Sequence, residues 1–202
     1  MYSCTSNFEL KEGDLLFQDL DSSPLCDAIE LVTPGYNDAK FSHIGLIVYK
    51  DKKPKVLEAI PPKVRLTDIN EFLARSKDKD GNPKIIVGRL KHKFKQAIPK
   101  AVEFSLKRIE SDYDDLFLIN NKRYYCSELL YEAFSKDSIF QLYPMSFLHP
   151  DSGDTLQTWK KYYSELGVKI PQNELGINPG IMSLSEKIEI VHIYGYPDGM
   201  KR

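Results

Sequence analysis

Two apolar, strand-forming runs lie either side of a short charged turn, and each carries an ionisable group that a buried strand does not need. Phe41 to Tyr49 reads Phe-Ser-His-Ile-Gly-Leu-Ile-Val-Tyr, Val56 to Ile60 reads Val-Leu-Glu-Ala-Ile, and Asp51-Lys52-Lys53-Pro54 separates them. β-branched and aromatic residues bounded by turn formers predict a β-hairpin. The hairpin places a histidine, His43, and a carboxylate, Glu58, inside apolar strands, where an unpaired charge is costly. A four-residue turn sets Lys50 opposite Lys55 and Ile47 opposite Glu58, so that odd positions of the first strand share a face with even positions of the second. His43 and Glu58 then face the same way. Direct contact needs a further shift by an even number of residues, or a bulge.

Around the hairpin the sequence predicts a mixed α and β domain. Gly13 to Gln18 reads as a turn into a short buried strand, and Leu25 to Val32 as a helix with Ser22 or Ser23 as N-cap and Pro24 in its first turn. Pro61-Pro62 ends the hairpin. A short helix over Ile69 to Leu73 follows, capped by Thr67 or Asp68. Then come a strand over Lys84 to Leu90, an amphipathic helix from Ile98 to Ile109, helical material around Trp159, a loose stretch from Pro171 to Gly180, and a last strand near Ile188 to Tyr194. At 202 residues, 42% hydrophobic and 28% charged, with no internal repeat or linker, residues 1–202 are expected to form one domain.

Several functions are excluded early. A net charge of −1 gives no field that would gather nucleic acid or anionic lipid. The basic stretch Lys91 to Lys95 alternates with apolar residues and reads as the solvated edge of a strand leading into a helix. Cys4, Cys26 and Cys126 cannot all pair internally, and none has the spacing of a metal site, so neither a disulfide scaffold nor a structural zinc is expected, and no cofactor is implied. No apolar run approaches the roughly 20 residues that span a bilayer. The start has no basic segment followed by an apolar one, so as written the chain reads as soluble and untargeted; a trimmed leader would place it in the periplasm or envelope.

Cys126 has the most informative setting. In Tyr125-Cys126-Ser127-Glu128-Leu129-Leu130-Tyr131-Glu132-Ala133-Phe134 the apolar positions 126, 129, 130, 133 and 134 fit one helical face, and Asn120 to Arg123 is turn material. Cys126 thus falls in the first turn of a helix, where free N–H groups and the macrodipole favour a thiolate. Acyl transfer also needs an imidazole and donors for an oxyanion. Among the four histidines only His43 combines an apolar strand with small neighbours, Ser42 and Gly45, and Glu58 is the acidic residue in the partner strand. Taken singly, such a Cys is an ordinary core residue, such a His a satisfied core group, and such a Glu a partner for Lys or Arg. One mechanism accounts for all three placements together.

The chain also resembles a known family. Gly13-Asp14-Leu15-Leu16-Phe17-Gln18, Phe41-Ser42-His43-Ile44-Gly45, Leu57-Glu58-Ala59, Tyr113-Asp114-Asp115-Leu116-Phe117 and Tyr124-Tyr125-Cys126-Ser127-Glu128-Leu129 are similar, in this order, to segments of the YiiX/YaeF-like permuted papain-fold amidases. These are relatives of the NlpC-type peptidases and of the lecithin:retinol acyltransferase group. The resemblance implies an α+β fold in which an antiparallel sheet packs on the helix carrying the nucleophile. It implies Cys126 as nucleophile, His43 as base and acid, Glu58 as the orienting group, and Tyr113 as a second oxyanion donor beside the Cys126 backbone N–H. The expected reaction is amide hydrolysis through a thioester, on a murein peptide or another small peptide-like amide. A lipid acyltransferase or thioesterase with the same triad, and a non-catalytic binding domain, are the alternatives. Asp14 and Gln18 receive no chemical step. Cys4, Cys26, His92, His149 and His192 match no motif position and are expected to be structural or surface groups.

Overall fold

The computed structural model describes residues 8–201, so Cys4 lies outside the described residues. Among those residues the strands are β1 (Leu15–Gln18), β2 (His43–Lys50), β3 (Lys53–Ile60), β4 (Lys63–Asp68), β5 (Ile85–Leu90), β6 (Tyr143–Pro144), β7 (Leu175–Gly176) and β8 (Ile188–Ile193). The α-helices are α1 (Pro24–Leu31), α2 (Ile69–Ala74), α3 (Ile98–Leu106), α4 (Cys126–Ala133), α5 (Gln157–Glu165) and α6 (Pro179–Ser183). Six strands form one antiparallel sheet in the order β4-β3-β2-β1-β5-β8, and β6 pairs with β7 apart from it.

The hairpin forms as expected, but its register does not follow a four-residue turn. Asp51 and Lys52 both take left-handed φ, 52° and 60°, and make a two-residue loop whose twist matches the flanking strands. Lys50 therefore pairs with Lys53 and Leu46 with Leu57, so the register is shifted by two residues. Carried one step further, it sets Glu58 across from Gly45 rather than Ile47. Parity is unchanged, so His43 and Glu58 still share a face and become diagonal neighbours. Pro61-Pro62 does not end the sheet; it is the loop of a second hairpin into β4, with Ile60 opposite Lys63. The basic stretch after β5 is a 3-10 turn over His92–Ala97, not a strand edge.

The two faces of the sheet bury different cores. Leu15, Phe17, Ile44, Leu46 and Leu57 pack with Leu129 and Leu130 of α4, while Leu16, Ile47, Val56 and Val87 pack with Phe72 of α2. Alternation along β2 and β3 puts His43, Gly45 and Glu58 on the α2 face. Gly45 is needed there, because a Cβ would stand 2.3 Å from Val56 Cγ1 and 3.3 Å from Phe72 Cε2. His43 is the first residue of β2 and Cys126 the first of α4, so the two meet at the end of the sheet.

Candidate active site

Cys126 opens α4 after Tyr125, whose extended backbone (φ −90°, ψ 167°) ends the preceding loop. The Glu128 carboxylate accepts from the Tyr125 N–H at 3.4 Å and from the Asn120 N–H at 3.3 Å, fixing the loop against the helix start. Burial, then the neighbouring Asp114 and Glu132, push Glu128 up to about 8. Cys126 is 7% exposed and borders a cleft.

His43 links Cys126 to Glu58. Its Nε2 lies 2.6 Å from Glu58 Oε2, which leaves Nδ1 as the ring nitrogen that can serve the Cys126 side chain. Burial alone would lower the imidazole pKa, but the bonds to Cys126 and Glu58 outweigh it and raise it to about 9. The carboxylate is 1% exposed and fully partnered: Arg75 donates through Nη1 to Oε2 at 2.8 Å and through Nη2 to Oε1 at 2.7 Å, and the Thr67 hydroxyl donates to Oε1. Burial would raise its pKa; Arg75 and then His43 hold it well below the usual carboxylate range. A line of Cys126, an imidazolium and a carboxylate can hold a thiolate and pass a proton.

Tyr113 lines the same cleft as Cys126. Burial, and then the charge of Cys126, raise its pKa well above the ordinary value, so the hydroxyl stays a donor. Asp14 belongs to the framework: Arg89 grips it at 2.7 Å through both Nε and Nη2, tying β5 to the start of β1. Gln18 pairs with His43 across β1 and β2, and its Nε2 donates to the Phe72 carbonyl at 2.8 Å. Cys26 sits 3.4 Å from the Ser22 hydroxyl, His192 stacks on Phe8 and His149 accepts from the Asp151 N–H, and none of the three lines the cleft.

Arg75, Thr67 and Phe72 are the contributors that sequence reasoning missed; Thr67 entered only as a possible cap, although Asp68 is the cap that forms. The lining of the cleft beside Cys126 was missed as well. Ile29, Val32, Phe117, Phe147, Trp159 and Ile177 supply much of its wall, and apart from Cys126 itself no acidic or basic side chain lines it. Among the described residues, only the carboxylates of Asp19, Asp21 and Asp198 converge as a cation site would require. The Lys84 ammonium lies among them at 3.1, 2.7 and 3.5 Å, so these donors already serve a cation of the chain itself.

The chain is similar to known proteins in family, sequence and structure. The family model for permuted papain-like amidase enzymes, YaeF/YiiX, matches residues 9–192. The chain is 26% identical over 167 residues to the uncharacterized protein YiiX of Escherichia coli strain K12, covering 83% of this chain and 78% of that one. Its fold is similar to the crystal structure of the metalloprotein yiiX from Escherichia coli O157:H7, with a TM-score of 0.74 and 24% identity over 94% of this chain and 100% of that one.

Proposed function

Since the chain belongs to the YaeF/YiiX family of permuted papain-like amidase enzymes, we propose that residues 1–202 act as one cysteine hydrolase domain that cleaves an amide bond through a thioester. The observation that carries this reading is the buried line from Cys126 through His43 to Glu58 beside the cleft. The Cys126 thiolate attacks the amide carbon. The oxyanion is met by the Cys126 backbone N–H and the Tyr113 hydroxyl, and the His43 imidazolium gives its proton to the departing amine. His43 then takes a proton from water as it attacks the thioester, releasing the acid and restoring the thiolate–imidazolium pair, and Glu58 keeps the ring turned towards the sulfur.

The cleft narrows the choice of amide. A murein peptide bears free carboxylate and ammonium groups, and an uncharged wall offers them no ionic partner, so a small neutral peptide-like amide fits better. The same wall favours a second reading, transfer or hydrolysis of an aliphatic acyl group by the same residues. An open cleft at Cys126 speaks for an enzyme over a binding domain that has merely kept the fold. The Escherichia coli structure is described as a metalloprotein; in this chain the converging carboxylates hold Lys84 and do not fit a divalent cation, and no step is assigned to a metal.

The test is to trap the intermediate. Acid-quenched mixtures with neutral N-acyl anilides of increasing chain length, and separately with murein peptides, are digested and mapped by mass spectrometry. The expected result is an acyl adduct on Cys126 from the neutral amides, absent in Cys126→Ser. Turnover that persists in Cys126→Ser contradicts the reading.

A further inference from the structure

Glu58 is held more firmly than an orienting carboxylate requires. Both of its oxygens are taken by one guanidinium, and Arg75 reaches it from the C-cap of α2, a helix fixed from three sides. Asp68 caps its start by accepting from the Asn70 N–H at 3.0 Å. Its Phe72 ring packs against His43 with centroids 5.8 Å apart and lies 5.2 Å below the Arg75 guanidinium. The Phe72 carbonyl accepts from Gln18 on β1. Gln18, without a chemical step of its own, therefore anchors the element that delivers Arg75.

We propose that Arg75 is a positioning residue of the reaction, acting through Glu58 in two ways: its planar fork presents Oε2 to His43, and its charge cancels most of the carboxylate's field at the imidazole. The proposal rests on the cysteine-hydrolase reading above. A lone buried carboxylate beside His43 would hold the imidazolium proton too tightly for transfer to a leaving amine, and general acids work best when their pKa lies near the operating pH. With Arg75 in place the orienting unit is close to neutral.

The groups facing Glu58 leave this role to Arg75. Arg65 of β4 approaches only to 3.9 Å and its side chain is 44% exposed, against 15% for Arg75. Glu71 lies 3.4 Å from Arg75 and 3.2 Å from Arg65 and partly offsets both cations. Thr67 is uncharged, and His43 and Cys126 are the groups being tuned.

The experiment is the pH dependence of Cys126 alkylation by iodoacetate. This anionic reagent is drawn to a thiolate–imidazolium pair and loses that attraction as the imidazolium deprotonates, so the alkaline limb reports His43 without any substrate. In Arg75→Gln the limb should move up by about one pH unit, while amide turnover falls. In Arg75→Lys, which keeps the charge but not the fork, the limb should stay in place and turnover should still drop. Thermal melts confirm that each variant is folded. A folded Arg75→Gln whose limb stays or falls overturns the proposal, as does an Arg75→Lys whose limb rises with it. A wild-type protein with no bell-shaped profile would instead overturn the nucleophile reading beneath it, and the two failures are thereby distinguished.

Discussion

Glu58→Gln removes one negative charge and almost no volume, and the geometry fixes the direction of its effect. The carboxylate lies 2.6 Å from His43 Nε2, and the imidazole stands at about 9 instead of its ordinary 6.5 although burial opposes the rise. That difference amounts to about 3 kcal/mol in favour of the imidazolium, shared between the carboxylate and the Cys126 sulfur. Because the Glu58 carboxylate is one of the two groups that hold the imidazolium, the alkaline limb of iodoacetate alkylation should fall by about one pH unit, opposite in sign to Arg75→Gln. Amide turnover should drop roughly tenfold to a hundredfold. Stability also changes with pH. The raised His43 contributes fully below about 6.5 and loses its contribution as pH rises through about 9. The lowered Glu58 contributes above about 4.5 and loses its contribution as pH falls. Wild-type melting temperature should therefore peak between these ranges and decline towards pH 9, and the variant should show a lower, flatter curve because Arg75 loses its partner. A folded Glu58→Gln whose limb does not fall would refute the reasoning.

Tyr113→Phe should slow amide turnover by roughly a hundredfold, the loss expected for one oxyanion donor, while leaving the melting temperature and Cys126 alkylation unchanged; equal turnover would make Tyr113 a packing residue. Gly45→Ala should cost about 1–3 kcal/mol in denaturant unfolding, because its Cβ would overlap Val56 Cγ1 and press on Phe72 beside His43. An unchanged unfolding midpoint would show that the β2 and β3 contact is looser than the structure has it.

The residues of the proposed triad could be picked out from the sequence because each lies in a strongly patterned segment: two apolar strands for His43 and Glu58, one helical face for Cys126. Parity survived the register error, since a shift by two residues keeps every side chain on its face. The error itself came from Lys52, a residue that does not advertise the left-handed conformation it takes. β4 was hidden by Pro61-Pro62, which read as a stop and is a loop, although Val64 and Leu66 alternate with polar neighbours. Arg75 carries no local mark, because its function depends on a contact with a residue 17 positions away. The cleft is assembled from α1, the loop holding Phe117, and segments from Tyr143 to Ile181 that share no periodicity, so its uncharged character appears only when they are brought together.

The central claim is that Cys126 is an activated nucleophile paired with His43. Labelling at pH 5 with an iodoacetamide probe, followed by peptide mapping, tests it most directly. The account predicts that Cys126 is labelled at least roughly tenfold faster than Cys4 or Cys26, as a thiolate stabilised by an imidazolium and a helix start should be, and that His43→Ala abolishes the difference. Equal labelling of the three cysteines, or a fast Cys126 that persists in His43→Ala, would contradict it.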